Sequence, residues 1–323
     1  MIRIDDAGYP IWIGDGILEP ALRDLPEGRF FLVSDRNVEE AGWLARAAAV
    51  LAPRLIGKHI LRPGEESKDF SALHRLLDAM LEARMERTDY VVAVGGGLVG
   101  DLAGLAASLL KRGCGLIQVP TTLLAQADAA VGGKTGINAR QGKNLIGAFH
   151  QPAAVIIDIA TLATLPGAEL RSGYAEVVKY GLIGDAPLFG WCEANGAALL
   201  AGDPQARLHA VATAVRAKLA AVKGDERDTR GVRALLNFGH SFGHAIETET
   251  GLRHGEAVAI GMVLAFRLSV ERAFCPSDDA ERVAAHLQSV GLPTRARGLR
   301  AAALVERMAH DKKRRGGALQ LIL

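Results

Sequence analysis

Three histidines and a glutamate stand at spacings that suit a metal site. His240 and His244 are four residues apart, so a helix would place both side chains on one face. His254 follows ten residues later, and Glu176 lies on an earlier helical stretch. Imidazole and carboxylate groups bind zinc, and three protein ligands leave one coordination position open. Spacing alone would make both His240 and His244 ligands, although a single histidine is more often a surface or core residue.

A run of glycines follows an apolar, strand-like segment. Gly95–Asp101 has the sequence GGGLVGD; it follows Tyr90–Val94 and opens a helical pattern. Glycines at such a turn let a pyrophosphate approach the backbone N–H groups, and the helix N-terminus adds partial positive charge. The pattern differs from the GxGxxG of the ordinary dinucleotide fingerprint. It favours a nucleotide site, and the alternative is a tight strand–helix turn without a ligand.

Lysines flanked by glycines are a second group of candidates. Lys134 and the pair Lys143–Asn144 lie within residues 120–147, which are rich in Gly, Thr, Asn and Gln. Such lysines can converge on a phosphate or a carboxylate, whereas solvated surface charge is the usual fate of lysine. We predict that this stretch is irregular and functional. Arg112 and Lys312–Lys313 are further basic candidates.

The elements that must carry these residues change character along the chain. In the first half, β-branched runs alternate with helical patterns, which predicts a parallel sheet with helices on both faces. The predicted strands are Tyr9–Ile13, Phe30–Ser34, His59–Leu61, Tyr90–Val94, Leu116–Val119 and Ala154–Ile157, and helices are predicted from Asp35 to about Val50, over Ser71–Glu86 and up to about Leu110. Helical stretches dominate after about Leu165, over Ala168–Ile183, Gln205–Lys223, Gly239–Thr248, Gly255–Glu271 and Asp278–Ser289.

Composition narrows the class of protein. The 323 residues include 38 Lys+Arg and 36 Asp+Glu, and this balance argues against nucleic acid or a membrane surface as the main partner. Cys114, Cys192 and Cys275 lack CxxC spacing, as expected for free thiols in a reducing compartment. The segment MIRIDDAGYP lacks the apolar run of a signal peptide, and Val91–Leu110 is interrupted by glycines and Asp101. We therefore expect a cytoplasmic protein.

Six blocks of the chain resemble the 3-dehydroquinate synthase family of the sugar phosphate cyclase superfamily, in the family's order and spacing. The blocks are Gly95–Asp101, Gln118–Gln126, Val131–Asn138, Gly142–Ala148, Tyr174–Gly181 and Leu236–Glu247. The resemblance extends from Tyr9 to about Leu323. It implies an α/β fold, with a Rossmann-like parallel-sheet domain that binds NAD over residues 1–163. An all-helical domain that binds metal and substrate would follow over residues 164–323, in a homodimer.

The resemblance also implies roles for the matching positions. The zinc ligands would be Glu176, His240 and His254, which moves His244 from ligand to catalytic acid–base group. Further catalytic positions would be Asp128, Lys134, Lys179, Arg233 and Asn237, and further substrate contacts Arg112, Asn144, Lys218 and one of Lys312 and Lys313. The implied NAD contacts are Asp35, Asn37, Glu65, Lys68, Gly96, Gly97, Asp101, Thr121, Thr122, Lys143, Thr161 and Thr164.

The implied cofactors are NAD and zinc, or cobalt in place of zinc. The implied reaction converts 3-deoxy-D-arabino-heptulosonate 7-phosphate to 3-dehydroquinate and phosphate, a step of the shikimate pathway to the aromatic amino acids. NAD would transiently oxidise a hydroxyl that zinc polarises. Phosphate elimination, return of the hydride and an aldol closure would then form the carbocycle. Basic residues would hold the phosphate and carboxylate of this flexible substrate.

The chain departs from the family pattern before Arg233. The family usually has Glu where Asp228 stands, and one residue fewer before Arg233, so we assign Asp228 no catalytic role. The alternatives are another sugar phosphate cyclase, a metal-dependent polyol dehydrogenase of the same fold, and a non-catalytic NAD-binding protein. Arg112, Arg233 and Asn237 favour a substrate that bears a carboxylate.

Overall fold

The computed structural model describes residues 1–223, 225, 232–296, 298–309, 314–315, 318–319 and 321–323. The chain divides into two compact units, Met1–Leu165 with Arg207–Leu219, and Pro166–Ala206 with Ala220–Leu323. The sequence pattern assigns all of residues 164–323 to the helical domain, whereas the structure groups Arg207–Leu219 with the first unit. Three positions from the sequence analysis, Asp228, Lys312 and Lys313, lie outside the described residues.

A seven-stranded sheet is the frame of the first unit. The strands of this unit are β1 (Ile2–Ile4), β2 (Ile11–Gly14), β3 (Phe30–Asp35), β4 (Leu55–Leu61), β5 (Tyr90–Gly95), β6 (Gly115–Pro120), β7 (Lys134–Ala139), β8 (Gly142–Phe149) and β9 (Ala154–Asp158). The sheet has the order β1-β2-β9-β6-β5-β3-β4. Its neighbouring strands run parallel, except for the antiparallel pair β1 and β2.

Helices cover both faces of this sheet. They are α1 (Leu18–Arg23), α2 (Arg36–Glu40), α3 (Trp43–Leu51), α4 (Phe70–Glu82) and α5 (Gly97–Leu109). Alternate residues of β5 enter different cores: Val91 and Ala93 pack with residues of α4 and α5, whereas Val92 and Val94 pack with residues of α1 and α3. A central strand that is buried on both faces has a continuous apolar sequence. The predicted parallel sheet with helices on both faces is confirmed.

The strand order reverses between β3 and β5. From β3 the chain moves outward to β4, and from β5 it moves in the other direction to β6. Open parallel sheets bind ligands outside the carboxyl ends of the strands at such a reversal. Here these ends are Asp35 and Gly95, on neighbouring strands whose register pairs Ser34 with Val94.

Two sequence predictions in the first unit were wrong. The helix predicted from Asp35 to about Val50 is divided into α2 and α3, because Gly42 adopts a left-handed conformation (φ 84°) between them. Residues 120–147, predicted to be irregular, contain a π-helical turn at Ala125–Ala129. They also contain most of the antiparallel hairpin formed by β7 and β8.

In its described residues, the second unit is helical apart from two short strands. Its helices are α6 (Gly167–Leu182), α7 (Ala186–Ala201), α8 (Pro204–Val222), α9 (His240–Thr250), α10 (His254–Glu271), α11 (Ser277–Ser289) and α12 (Ala301–Ala309). Most of α8 belongs to the first unit. The strands are β10 (Arg314–Arg315) and β11 (Ala318–Leu319). Helix α7 was not predicted, because Gly190 and Gly196 weaken its helical pattern. Among the described residues, none of the helices combines the length and apolar character needed to cross a bilayer.

Asp158, at the end of β9, ties this strand to the start of α1. Its buried carboxylate accepts hydrogen bonds from the backbone N–H groups of Gly16 (2.8 Å), Leu18 (2.9 Å) and Ala160 (3.0 Å). Asp158→Ala removes the acceptor of all three groups, so we expect the free energy of unfolding to fall by about 4 kcal/mol. Urea denaturation followed by circular dichroism measures this loss.

Asp185→Ala is the matched control for Asp158→Ala. The Asp185 side chain accepts one backbone hydrogen bond, from Leu188 at the start of α7. Its loss should cost about 1 kcal/mol. Equal losses in the two variants would contradict the anchoring role of Asp158.

Candidate active site

Glu176, His240 and His254 converge in the second unit. Glu176 lies on α6, and the two histidines are the first residues of α9 and α10. Oε1 of Glu176 lies 3.5 Å from Nε2 of His240 and 3.4 Å from Nε2 of His254. One ligand atom from each of the three residues lies within 4.8 Å of the others, a grouping that suits a metal ion. We call these three residues the metal group.

The separations within the metal group fit tetrahedral coordination. Bonds of about 2.1 Å from zinc to nitrogen or oxygen place two ligand atoms of a tetrahedron about 3.4 Å apart. Both Nε2 atoms stand close to this distance from the Glu176 carboxylate. Its two oxygens are buried, and neither receives a hydrogen bond of good geometry from the described residues. A divalent cation would compensate the carboxylate and bind both imidazoles at once.

Contacts on the far side of each ring orient the two imidazoles. Nδ1 of His240 lies 3.0 Å from the backbone carbonyl oxygen of Phe238. Nδ1 of His254 lies 3.2 Å from Oε2 of Glu247 on α9. Because both oxygens are acceptors, these hydrogen bonds place the proton of each ring on Nδ1 and direct the Nε2 lone pair at Glu176.

The charges of the metal group depend on one another. Burial alone would raise the pKa of Glu176, but the ion-paired Lys179 ammonium and the two imidazoles hold this pKa well below its usual range. Burial is the main cause that lowers the pKa of His240 to about 3. Burial would also lower the pKa of His254, but the neighbouring carboxylates of Glu176 and Glu247 raise it to about 9. A proton and a metal ion therefore compete for Nε2 of His254.

His244 lies beside the metal group without belonging to it. Its ring centroid is 5.3 Å from that of His240 and 5.9 Å from that of His254. The grouping of ligand atoms does not include His244. The interval of four residues thus brings both histidines to one place but does not make both of them ligands.

Glycines allow α6, α9 and α10 to approach closely enough to form the metal group. A Cβ atom on Gly255 would lie 1.9 Å from the carbonyl oxygen of Ser172, one helical turn before Glu176. A Cβ atom on Gly261 would lie 2.0 Å from the carbonyl oxygen of Gly239. Larger residues at these positions would therefore push the helices apart.

The candidate NAD contacts of the first unit line one edge of its sheet. Parallel strands direct their carboxyl ends to the same edge. The residues there are Asp35 at the end of β3, Asn37 after β3, Glu65 and Lys68 after β4, Gly96, Gly97 and Asp101 after β5, Thr121 and Thr122 after β6, and Thr161 and Thr164 after β9. No side chain caps the N-terminus of α5 at this edge, so its first N–H groups suit an anion.

Lys68 is the centre of a polar network at this edge. Its buried ammonium lies 2.5 Å from Oδ2 of Asp101 and 2.6 Å from Oδ1 of Asn144 on β8. Asn138 on β7 extends the network, since its side chain donates to Oε1 of Glu65 (2.8 Å) and accepts from the backbone N–H of Asn144 (2.9 Å). Candidate NAD and substrate contacts are therefore joined by the hydrogen bonds of this network.

Asp128 and Lys218 are paired in the first unit. Lys218 on α8 donates from Nζ to the backbone carbonyl oxygen of Asp128 at 2.6 Å and forms an ion pair with its carboxylate. The π-helical turn carries Asp128, and such turns are frequent at functional sites.

Lys134 begins β7 and Lys143 lies on β8, and both side chains are exposed.

Arg112 lies apart from the other candidates of the first unit. It precedes β6, whose register places Gly115 beside Tyr90 and Pro120 beside Gly95. Arg112 is therefore at the amino edge of the sheet, a strand length of about 17 Å from the glycine turn.

Arg233 and Asn237 share a short 3-10 helix in the second unit. This helix, Val232–Asn237, ends three residues before His240, and Arg233 is buried. The two candidates are therefore close in the chain to the metal group.

The sequence analysis did not single out Asn138 or Glu247 as site residues. Glu247 follows His240 by seven residues, so the two lie on one face of α9 together with His244. This spacing is a signal that sequence alone provides. Asn138 has no such signal beyond its place in a segment rich in glycine and asparagine.

The Rossmann-like sheet unit and the helical unit with its Glu–His–His group resemble the solved structures of sugar phosphate cyclases. The structure resembles that of 2-epi-5-epi-valiolone synthase from Streptomyces hygroscopicus with NAD+ and Zn2+ bound, with a TM-score of 0.89 and 32% identity over 99% of this chain and 91% of that chain. It also resembles 2-deoxy-scyllo-inosose synthase complexed with carbaglucose-6-phosphate, NAD+ and Co2+, with a TM-score of 0.86 and 29% identity over 97% of this chain and 87% of that chain.

Sequence comparison defines the family more closely. Residues 58–172 match the 3-dehydroquinate synthase N-terminal family, and residues 173–314 match the 3-dehydroquinate synthase C-terminal family. The 3-dehydroquinate synthase of Rhodospirillum rubrum is 50% identical over 100% of this chain and 87% of its own length. The chain belongs to the 3-dehydroquinate synthase family, and the resemblance stated from the sequence blocks is confirmed.

Gly255→Ala tests whether close helix packing forms the metal group. The added methyl group collides with the carbonyl oxygen of Ser172, so α10 must move away from α6 and carry His254 away from Glu176. We expect the free energy of unfolding to fall by about 3 kcal/mol. We expect the affinity for Zn2+ to fall roughly tenfold or more, as when ligand orientation is disturbed. Urea denaturation of the metal-free protein and competition with a chromophoric chelator measure the two effects.

Gly190→Ala is the control for Gly255→Ala. No atom lies within 4 Å of a Cβ atom built on Gly190 of α7, so alanine fits there without collision. Its helix propensity should stabilise the protein by up to about 1 kcal/mol, with no change in metal affinity. Unchanged Zn2+ affinity in Gly255→Ala as well would show that the metal group does not depend on this packing.

Proposed function

We propose that this protein catalyses the 3-dehydroquinate synthase reaction, which converts 3-deoxy-D-arabino-heptulosonate 7-phosphate to 3-dehydroquinate and phosphate in the shikimate pathway. The observation that carries the proposal is the metal group, found in a chain whose relatives bear the name of this activity. We assign NAD binding to residues 1–163, and metal and substrate binding to residues 164–323.

The carboxyl edge of the sheet supports the proposed NAD site. The Asp35 carboxylate, at the end of β3, suits a ribose hydroxyl, and the uncapped N-terminus of α5 after Gly96 suits the pyrophosphate. Lys68 and Asp101 are already oriented by their ion pair, so little side-chain freedom is lost when the cofactor binds. Thr121, Thr122, Thr161 and Thr164 complete the proposed cofactor contacts, together with Asn37, Glu65, Gly97 and Lys143.

The metal group supports a zinc or cobalt site with Glu176, His240 and His254 as ligands. When bound, NAD supplies reversible oxidation of a substrate hydroxyl, and the metal polarises the oxygen of that hydroxyl. Lys179 is fixed beside Glu176 and keeps a positive charge next to the metal group. We assign it the stabilisation of negative charge on the substrate oxygen.

The remaining roles follow from the charges of the substrate, which bears a carboxylate and a phosphate. The buried guanidinium of Arg233, with Asn237 on the same short helix, suits the carboxylate, because guanidinium binds carboxylates through paired hydrogen bonds. In the first unit, Lys134 suits a point-charge contact with phosphate. Asp128 orients the ammonium of Lys218 for the same purpose.

His244 is proposed to hold or move a proton during the reaction. Its ring stands next to both metal-facing imidazoles and lies outside the metal group, so a nitrogen can serve as acid or base. Asn144 and one of Lys312 and Lys313 are the further proposed substrate contacts, whereas Arg112 lies at the opposite edge of the sheet from the glycine turn. Of these, Asn144 is already held by Lys68.

Two other activities are the alternatives to this proposal. A related sugar phosphate cyclase would use the same cofactors with a different sugar phosphate. A metal-dependent polyol dehydrogenase would act on a neutral alcohol, which needs no cationic residues such as Lys134, Lys143 and Arg233. These cationic residues therefore favour a phosphorylated acid.

We further propose that the protein acts in the cytoplasm as a homodimer on a small phosphorylated sugar acid. The formal net charge of +2 favours neither nucleic acid nor a membrane surface as a partner. Size-exclusion chromatography with light scattering tests the dimer.

Incubation of the purified protein with 3-deoxy-D-arabino-heptulosonate 7-phosphate, NAD and Zn2+ should release phosphate and form 3-dehydroquinate. The absorbance of NADH should show no net rise, because the hydride returns to the product in each turnover. Phosphate assay, mass spectrometry and absorbance at the NADH band measure the three quantities. Accumulating NADH would indicate a dehydrogenase, and absence of phosphate from metal-replete protein that binds NAD would refute the proposal.

Metal removal should abolish this activity reversibly. We expect dialysis against a chelator to stop phosphate release, and Zn2+ or Co2+ to restore it at about one ion per chain, as for a single three-ligand site. Ca2+, which prefers six to eight oxygen ligands, is the control and should not restore activity. Full activity in protein shown to be free of metal would contradict the proposed role of the metal group.

A further inference from the structure

We propose that Glu247 is a positioning residue of the metal site, which fixes the imidazole of His254 in the orientation that a metal ion requires. This inference rests on the proposed function of the metal group. In this role, Glu247 contacts neither the ligand atoms of the metal group nor the substrate. It acts through the imidazole ring of His254.

The contact between the two side chains has the geometry of an oriented ligand. Oε2 of Glu247 lies 3.2 Å from Nδ1 of His254, while Nε2 of the same ring faces Glu176 at 3.4 Å. The two ring nitrogens point in different directions, so Glu247 is placed behind the ligand and not among the ligands. A carboxylate at this position fixes the tautomer and makes Nε2 a stronger donor.

Helix α9 carries Glu247 to this position. His240, His244 and Glu247 stand at intervals of four and three residues, which places all three on one face of the helix. The chain turns back after Thr250, and His254 begins α10 against that face. One helix thus supplies both a metal ligand and the residue that orients the next ligand.

His254 needs such support more than His240 does. The His240 side chain is 10% exposed, and the backbone carbonyl oxygen of Phe238 orients its ring. The His254 side chain is 31% exposed, so its packing leaves more rotational freedom. The Glu247 side chain is 12% exposed, and its partial burial strengthens a charge-assisted hydrogen bond to the ring.

Charge also favours a carboxylate at position 247. A divalent cation bound to Glu176 and two neutral imidazoles leaves one positive charge uncompensated, and Lys179 adds another nearby. The Glu247 carboxylate reduces this excess through the ring of His254. An amide at this position can accept the same hydrogen bond but contributes no charge.

Metal affinity of the full-length protein tests the proposal without any catalytic readout. The variants are Glu247→Ala, which removes the acceptor, and Glu247→Gln, which keeps an acceptor without its charge. Competition with a chromophoric chelator gives the affinity for Zn2+ and Co2+, and circular dichroism and thermal denaturation of the metal-free proteins check the fold. We expect Glu247→Ala to bind both ions about 10- to 100-fold more weakly than the parent protein. The metal affinity of Glu247→Gln should lie between those of the parent protein and Glu247→Ala.

Glu249→Gln is the matched control. Glu249 lies two residues further along α9, on the opposite face, and its Oε1 accepts from Nε of Arg307 at 2.6 Å. Its substitution should change metal affinity by less than about twofold. The absorption spectrum of bound Co2+ should shift in the Glu247 variants and remain unchanged in Glu249→Gln, because only the former disturb the ligand geometry.

Three results would overturn the proposal. They are affinity within twofold of the parent in folded Glu247→Ala, an equal loss in Glu249→Gln, and a parent protein that binds neither ion. If Glu247→Ala does not fold, an unchanged metal affinity together with an unchanged Co2+ spectrum in Glu247→Gln would overturn the proposal instead. A parent protein that binds metal but releases no phosphate would refute the proposed function alone, since the affinity comparison would still stand.

Discussion

The buried carboxylate of Glu176 is the constraint on which the second unit depends. A charge removed from water is costly unless cationic or hydrogen-bonding groups compensate it. Lys179 provides one such group from the next turn of the same helix, and imidazoles from α9 and α10 provide two more. All of these groups must reach one carboxylate, so the three helices must approach within the length of a side chain. The glycines at their crossings are a consequence of that requirement.

The first unit meets a related requirement in a different way. Its candidate NAD contacts come mainly from strand ends, which a parallel sheet brings to one edge without any side chain having to bridge between helices. Lys68 is buried there as a charge, and it is compensated by Asp101 and by the amide of Asn144. The sheet therefore fixes positions through backbone hydrogen bonds, whereas the helical unit fixes them through mutual charge compensation.

Much of this organisation could be predicted from the sequence. The central strands are buried on both faces, so their apolar runs were clear, and amphipathic or alanine-rich helices were located to within one or two residues in most cases. The hairpin of β7 and β8 was missed because its outer face is rich in Gly, Lys and Asn. Only its inner positions, such as Ile137 and Ile146, pack on a core. Arg207–Leu219 group with the first unit because tertiary contacts, and not local pattern, decide where a helix packs.

The metal group shows most clearly what sequence patterns cannot predict. Spacing places His240 and His244 on one face, but a ligand also needs an acceptor behind its ring. His240 begins α9 after Gly239, whose left-handed conformation (φ 74°) accompanies the contact between Phe238 oxygen and Nδ1.

Both histidines of the metal group are first residues of helices, and each receives its acceptor from outside its own helix. Helix starts therefore help to position both imidazoles of the metal group. The predicted starts, Gly239 and Gly255, each missed the observed start by one residue. An error of that size leaves the fold intact but moves a histidine across a helix end, and helix ends are the least certain part of any assignment.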